Sequence, residues 1–282
     1  MGFKTLLVPL DGGDVNTAVL ETALAAAQRF QAHIEVLYVP ASPFDTTRHS
    51  TFRVSDRVKQ TIREAAERGA TDRASEVRAV FDKFCRDHAL TVTDKPPSAA
   101  KATASWREET GHELEVLVRR GRLSDLIFVP RPDDSPISAQ TFETALLDTG
   151  RPVVLVPPKS HDCIASRITI GWNASAEAAR AVAAALPCLA SAEVTVLASQ
   201  KRAANAQELV DYLAWHGIKP AVKIFEAGSR SVGETLLGES RALGADLLLI
   251  GGYTHTRARQ LLFGGVTRYA LQSADIPVMM VH

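Results

Sequence analysis

Residues 250–267 read I-G-G-Y-T-H-T-R-A-R-Q-L-L-F-G-G-V-T and gather the residue types an anion would use. Gly251 with Gly252, and Gly264 with Gly265, bracket the stretch. Without a Cβ they free φ and let backbone amides approach a ligand. His255, Arg257 and Arg259 add basic groups between them. The preceding run, 246–250, is apolar enough for a buried parallel strand, and a helical pattern begins at about Gly264. Amides at a helix start, with the positive end of its dipole, suit phosphate. Two readings stay open on these residues alone. The glycines form a phosphate loop or serve as turn and cap residues, and the basic side chains meet phosphate or water.

Other chemistry is sparse. Cys85, Cys163 and Cys188 are odd in number, widely spaced and form no C-x-x-C pair, so buried or free thiols are expected. His161 precedes Cys163 by two positions without further metal ligands nearby. No Ser-His-Asp set or pair of carboxylates is readable. Lys plus Arg equals Asp plus Glu at 32 each, which removes the basic field that nucleic acid needs. No apolar run reaches the roughly 20 residues that cross a bilayer, and Met1 to Pro9 passes directly into a strand pattern, so a cytoplasmic protein is expected.

The elements around the loop follow from periodicity. Residues 4–10 and 33–39 read as strands around an Ala-rich helix that Asn16 or Thr17 would cap, a β-α-β opening with a parallel default. Residues 41–55 read as a loop. Residues 56–88 carry helical spacing as one helix or a pair kinked at Gly69. Residues 90–101 read as irregular, 102–106 as strand, 113–120 as helix, 125–129 as strand, 141–148 as helix and 152–156 as strand. After a linker at 157–165 the pattern restarts: strands at 168–172, 194–198, 222–226, 246–250 and 277–281 alternate with helices at 175–189, 205–215, 232–243 and 266–272. Leu123-Ser124-Asp125-Leu126-Ile127 aligns with Gly244-Ala245-Asp246-Leu247-Leu248, and Thr149-Gly150-Arg151-Pro152-Val153 with Ala274-Asp275-Ile276-Pro277-Val278. A tandem α/β duplication accounts for this, with domains at 1–157 and 166–282.

These halves resemble universal stress protein domains. Nucleotide-binding members carry Gly-x-x-Gly, nine residues, then Gly and Ser or Thr before the last helix. Gly251 and Gly264 match the first and later positions, Thr254 replaces the second glycine, and Gly265 replaces the hydroxyl residue. Gly252 and Thr267 are candidates to compensate. The resemblance implies two doubly wound, parallel, five-stranded sheets joined through 152–156 and 277–281. In the second domain Asn173 replaces the family's nucleoside-facing aspartate. In the first domain Asp11 is retained, as a nucleoside ligand or a helix cap, but in Val129-Pro130-Arg131-Pro132-Asp133-Asp134-Ser135-Pro136 the prolines lack amide donors and Asp133 and Asp134 repel phosphate, so this loop is not expected to cradle a triphosphate.

The leading expectation is a stress-response protein that binds or senses adenine nucleotide, ATP with Mg2+ as a companion ion. Asn173 would face the nucleoside and Val196 or Leu197 the base. Gly251, Gly252, His255, Arg257, Gly264, Gly265, Val266 and Thr267 would surround the phosphates. Catalysis would not exceed slow ATP hydrolysis. The alternative is a module of the same fold that binds a protein partner or small apolar ligand without nucleotide. A third reading, an adenylating enzyme, rests on Asp11-Gly12-Gly13-Asp14, which lacks both serines of a Ser-Gly-Gly-x-Asp-Ser loop. A homodimer is left open; nucleic acid and membrane are not expected partners.

Overall fold

The computed structural model describes residues 2–10, 16–40, 56–97, 100–133, 136–159, 161–252 and 265–282. The first half runs β1 (Thr5–Leu10), α1 (Asn16–Phe30), β2 (His33–Tyr38), α2 (Asp56–Asp87), β3 (Thr91–Val92), β4 (Thr103–Glu108), α3 (Glu113–Gly121), β5 (Leu126–Pro130), α4 (Pro136–Asp148) and β6 (Val153–Val156). The second runs β7 (Arg167–Gly171), α5 (Ala176–Leu189), β8 (Glu193–Ser199), α6 (Ala203–Trp215), β9 (Ala221–Phe225), α7 (Val232–Ala242), β10 (Leu247–Gly251), α8 (Gly265–Ser273) and β11 (Val278–Val281). None of the described helices is long and apolar enough to cross a membrane.

Among the described residues all strands join one eleven-stranded sheet, ordered β3-β4-β2-β1-β5-β6-β11-β10-β7-β8-β9. Pairing is parallel within each half and antiparallel where β6 meets β11, with Val153 opposite Met280, Val154 opposite Met279 and Leu155 opposite Val278. Every residue of both seam strands is buried. Valine and methionine on both faces of a strand suit a sheet interior, and neither strand could serve as an edge facing water. Thus the two expected parallel sheets are fused into one.

Strand alternation divides the core into two layers. On one face Leu6, Val8, Ile34, Val36, Ile168, Ile170, Val194 and Val196 meet α1, α2, α5 and α6. On the other Leu7, Ile127, Val129, Leu248, Ile250 and Met280 meet α3, α4, α7 and α8. Cys85 and Cys188 are buried free thiols in the first layer, where burial pushes their pKa up to about 11 and about 12 respectively. They act there as small apolar fillers.

The duplication extends to hydrogen bonding. Asp125 Oδ2 accepts from the amides of Lys4 at 2.7 Å and Thr5 at 3.0 Å, tying the turn before β5 to the start of β1. Asp246 repeats this before β10, accepting from the amides of Ser166 and Arg167 at 3.0 Å each. Charge-assisted bonds to paired amides are among the stronger local ties available to a turn.

Residues 56–87 form one helix, the first of the two alternatives for that stretch. Two elements differ from the sequence reading. Thr91 and Val92, inside the stretch read as irregular, pair with Thr103 and Ala104 and give the first half a sixth, edge strand. Helix α4 starts at Pro136, five residues before the apolar periodicity, since proline's fixed φ and missing donor suit a first helical turn.

Candidate functional site

From β7 the chain winds to β8 and β9 on one side, whereas β10 and β11 lie on the other. The strand order therefore reverses between β7 and β10, and a crevice forms outside their carboxyl ends, the usual place for a ligand in an open α/β sheet. Asn173 follows β7, Gly251 ends β10 with Gly252 just beyond, and Gly265, Val266 and Thr267 form the first turn of α8. His255, Arg257 and Gly264, with Thr254, lie outside the described residues.

The two glycines at the end of β10 are packing residues. A Cβ on Gly251 would stand 2.5 Å from the backbone nitrogen of Ala178 and 2.7 Å from the carbonyl carbon of Glu177, so the strand end lies directly against the first turn of α5. A Cβ on Gly252 would meet Leu146 Cδ2 at 2.9 Å, across the seam between the halves. The Gly252 amide donates to the Val281 carbonyl at 2.8 Å, and the His282 ring donates from Nδ1 to the Gly252 carbonyl at 3.2 Å.

The turn after β7 is fixed by its own side chains. The Ser175 hydroxyl caps α5, accepting from the Ala178 amide at 3.2 Å, and Asn173 Oδ1 accepts from the Ser175 amide at 3.0 Å. Ala174 between them has φ of 60°, a left-handed conformation that opposes an L side chain by about 1–2 kcal/mol. Glu177 lies in the first turn of α5, its carboxylate 2.9 Å from Arg180 Nη2. Burial works to raise its pKa, but its own backbone amide, the Ser175 hydroxyl, Arg180 and His282 outweigh burial and hold it below the usual value. A carboxylate thus already occupies the positive end of α5.

Helix α7 is similarly self-satisfied: Ser231 Oγ accepts from the Glu234 amide at 3.1 Å. Helix α6 has no side-chain cap at its N-cap, Arg202. At the start of α8 a Cβ on Gly265 would meet no described atom within 4 Å, the first amides of a helix have no acceptor within it, and residues 253–264 before it lie outside the described residues. A helix start of this kind suits a phosphate group on chemical grounds. Thr267 itself is 3% exposed, and Val266 packs against the apolar cluster of Leu197, Phe225 and Leu236.

Val196 and Leu197 are both fully buried and point to opposite faces of β8, Val196 into the layer of α5 and α6 and Leu197 toward α7 and α8. The backbone of Leu197 borders the crevice, for its carbonyl accepts from the Trp172 amide at 2.9 Å. Sequence reasoning missed Trp172, Glu177, Ala178 and His282. The acid in the first turn after Ser175 was a readable capping signal. The other three need the fold to bring them near β10. Among the described residues no group of three or more His, Cys, Asp or Glu side chains is placed to hold a metal ion.

The matching end of the first half is built differently. The Arg131 amide donates to the Val156 carbonyl at 2.6 Å, its guanidinium reaches the Ala274 carbonyl at 2.7 Å, and Ser138 donates to Asp133 at 2.5 Å. This connection serves the seam and its own helix start. Asp11 lies outside the described residues. A separate cavity of about 370 Å3, lined by Pro40, Ser75, Arg78 and Glu108 among others, lies where α2 passes the carboxyl ends of β2 and β4.

The fold defines a tandem, doubly wound α/β protein. The family model described as the universal stress protein family matches residues 2–129 and 178–282, and the chain belongs to that family. A universal stress protein from Archaeoglobus fulgidus DSM 4304 is similar in structure, with 16% identity, a TM-score of 0.68 and coverage of 98% of this chain and 97% of that one. A functionally unknown protein from Pseudomonas aeruginosa PAO1 shares 14% identity at a TM-score of 0.55, covering 99% and 92%. No curated protein matches the chain.

Proposed function

We propose that the second domain, residues 166–282, binds adenine nucleotide, with ATP and its Mg2+ as the ligand, and that the protein senses nucleotide more than it transforms it. The observation that carries this reading is the reversal of strand order between β7 and β10, which brings Asn173, Gly251 and the first turn of α8 to one crevice at the carboxyl ends of parallel strands. The nucleoside would lie toward Asn173 and the phosphates toward Gly265 and the glycine-rich stretch before it. The site would hold anionic phosphate by amides and helix dipole, a mode that needs no catalytic base. Denaturing protein purified without added nucleotide and identifying what it releases by chromatography tests the reading. Adenine nucleotide near one equivalent per chain is the expected result, and nucleotide-free protein that also fails to bind added ATP contradicts it.

A second reading, a module that binds a protein partner without nucleotide, is favoured by one feature of the surface. Val222 and Ile224 on the edge strand β9 are 42% and 36% exposed, and Trp215 is 90% exposed. Retention of a partner independently of ATP would support it.

A further inference from the structure

Helix α6 turns Ala206, Leu209 and Leu213 into the core, and on its opposite side Glu208, Asp211, Tyr212 and Trp215 are exposed. Their spacing of three, four and seven residues sets all four in one stripe along the helix. Trp215 is 90% exposed and Tyr212 43%. The Tyr212 ring rests against the His216 ring, 4.9 Å between centroids. An indole left almost wholly in water gives the fold little burial energy, whereas tryptophan and tyrosine are the side chains that most often anchor protein interfaces.

The charges in the stripe define the partner it fits. Asp211 Oδ1 accepts from Gln207 Nε2 at 2.9 Å and Glu208 Oε2 from Asn205 Nδ2 at 3.5 Å, both neutral donors. No described cationic side chain pairs with either carboxylate. The stripe also ends with α6 itself, at the negative end of the helix dipole. Elsewhere the chain joins the same groups to a guanidinium: Arg78 stands over the Trp106 ring, 5.4 Å from its centroid, while its Nε donates to Asp82 Oδ1 at 3.0 Å. A planar guanidinium covers an indole face and turns its edge to a carboxylate at once, which a compact ammonium does less well.

We propose that this face of α6 docks an arginine-bearing segment of a partner protein, with a guanidinium on Trp215 and its edge toward Asp211. Those two residues are four apart, one turn of the helix, so a single arginine spans both. The inference rests on the protein-partner reading above, names that partner's chemistry and requires no nucleotide.

Fluorescence anisotropy of a short labelled glycine-serine peptide bearing paired arginines, titrated with the full chain, tests this beside the same peptide with lysine or citrulline in their place. The arginine peptide should bind with a Kd below about 1 mM, about threefold tighter than the lysine peptide, and the citrulline peptide should not bind. Trp215→Ala should weaken arginine-peptide binding about fivefold or more and Asp211→Asn about threefold, whereas Ile224→Ser on the β9 edge should leave it unchanged. Both α6 residues are exposed, so unchanged thermal midpoints are expected and serve as the folding control. Equal binding of the arginine and lysine peptides, affinity within about twofold of wild type in Trp215→Ala, or no binding at 1 mM overturns the inference. Self-association of the wild type that Trp215→Ala abolishes, read by sedimentation, assigns the stripe to a second copy and also overturns it. Retention of a partner by the wild type, measured in parallel, reads the protein-partner reading itself, which falls only when no partner is retained.

Discussion

Gly251 and Ala178 touch so closely that a Cβ on the glycine would come within 2.5 Å of the Ala178 nitrogen. The contact is with backbone on a capped helix turn, so nothing nearby can swing aside. Gly251→Ala should therefore destabilise the protein by about 3 kcal/mol, at the upper end of overpacking effects. Gly252→Ala meets only the Leu146 side-chain tip, at 2.9 Å, and should be milder, about 1 kcal/mol. Gly265→Ala meets no described atom within 4 Å and should leave stability unchanged within about 0.5 kcal/mol. Urea denaturation of the three variants checks this order.

Met279 lies opposite Val154 at the antiparallel seam, and both are buried. Met279→Ala should cost about 2–5 kcal/mol. Val154→Ala combined with it should depart from additivity by at least about 0.5 kcal/mol, since the residues share one site. A double-mutant cycle measures that departure.

Asp125 and Asp246 make equivalent ties in the two halves. Substituting either by alanine should cost about 1–3 kcal/mol, because two amides lose a charged acceptor. The two effects should add within about 0.5 kcal/mol, since distant sites with no shared partner do so. Asp246→Ala also removes the bond between its carboxylate and the Cys163 thiol, at 3.2 Å.

Most of the fold was legible because valine, isoleucine and leucine runs punctuated by proline and glycine fix parallel strands closely. The β3 edge was not. Thr91 and Val92 have no pattern of their own and become a strand only because β4 lies beside them. At the site, Asn173, Gly251 and Gly265 could be placed at strand and helix ends from sequence. The reason for Gly251 could not, for Ala178 is distant in the chain and meets it only after α5 folds back on the sheet. Alternation along β8 put Val196 and Leu197 on opposite faces, and burial of both side chains leaves only the strand's backbone at the crevice.

His33 bonds Thr103 Oγ1 at 2.8 Å through Nδ1 and Ser105 Oγ at 2.9 Å through Nε2. Burial lowers its pKa, against the opposing pull of Glu35 and Asp94. Burial likewise lowers His161, whose Nε2 is buried with no hydrogen-bond partner among the described residues. For such groups the unfolded chain binds protons first. Their contribution is complete above the unfolded value near pH 6.5 and is lost as pH falls through the lower folded values. Stability should therefore decline between pH 7 and pH 5.5, and His33→Gln should show a shallower decline. Denaturation midpoints across that range check the sign.

The central claim concerns α8 and the stretch before it. Calorimetric titration of ATP and Mg2+ into the wild type and Gly264→Ala measures it most directly. One site per chain with a Kd below about 1 mM, weakened about tenfold or more in the variant, is the expected result. No binding at millimolar ATP, with the variant indistinguishable from the wild type, would contradict the account.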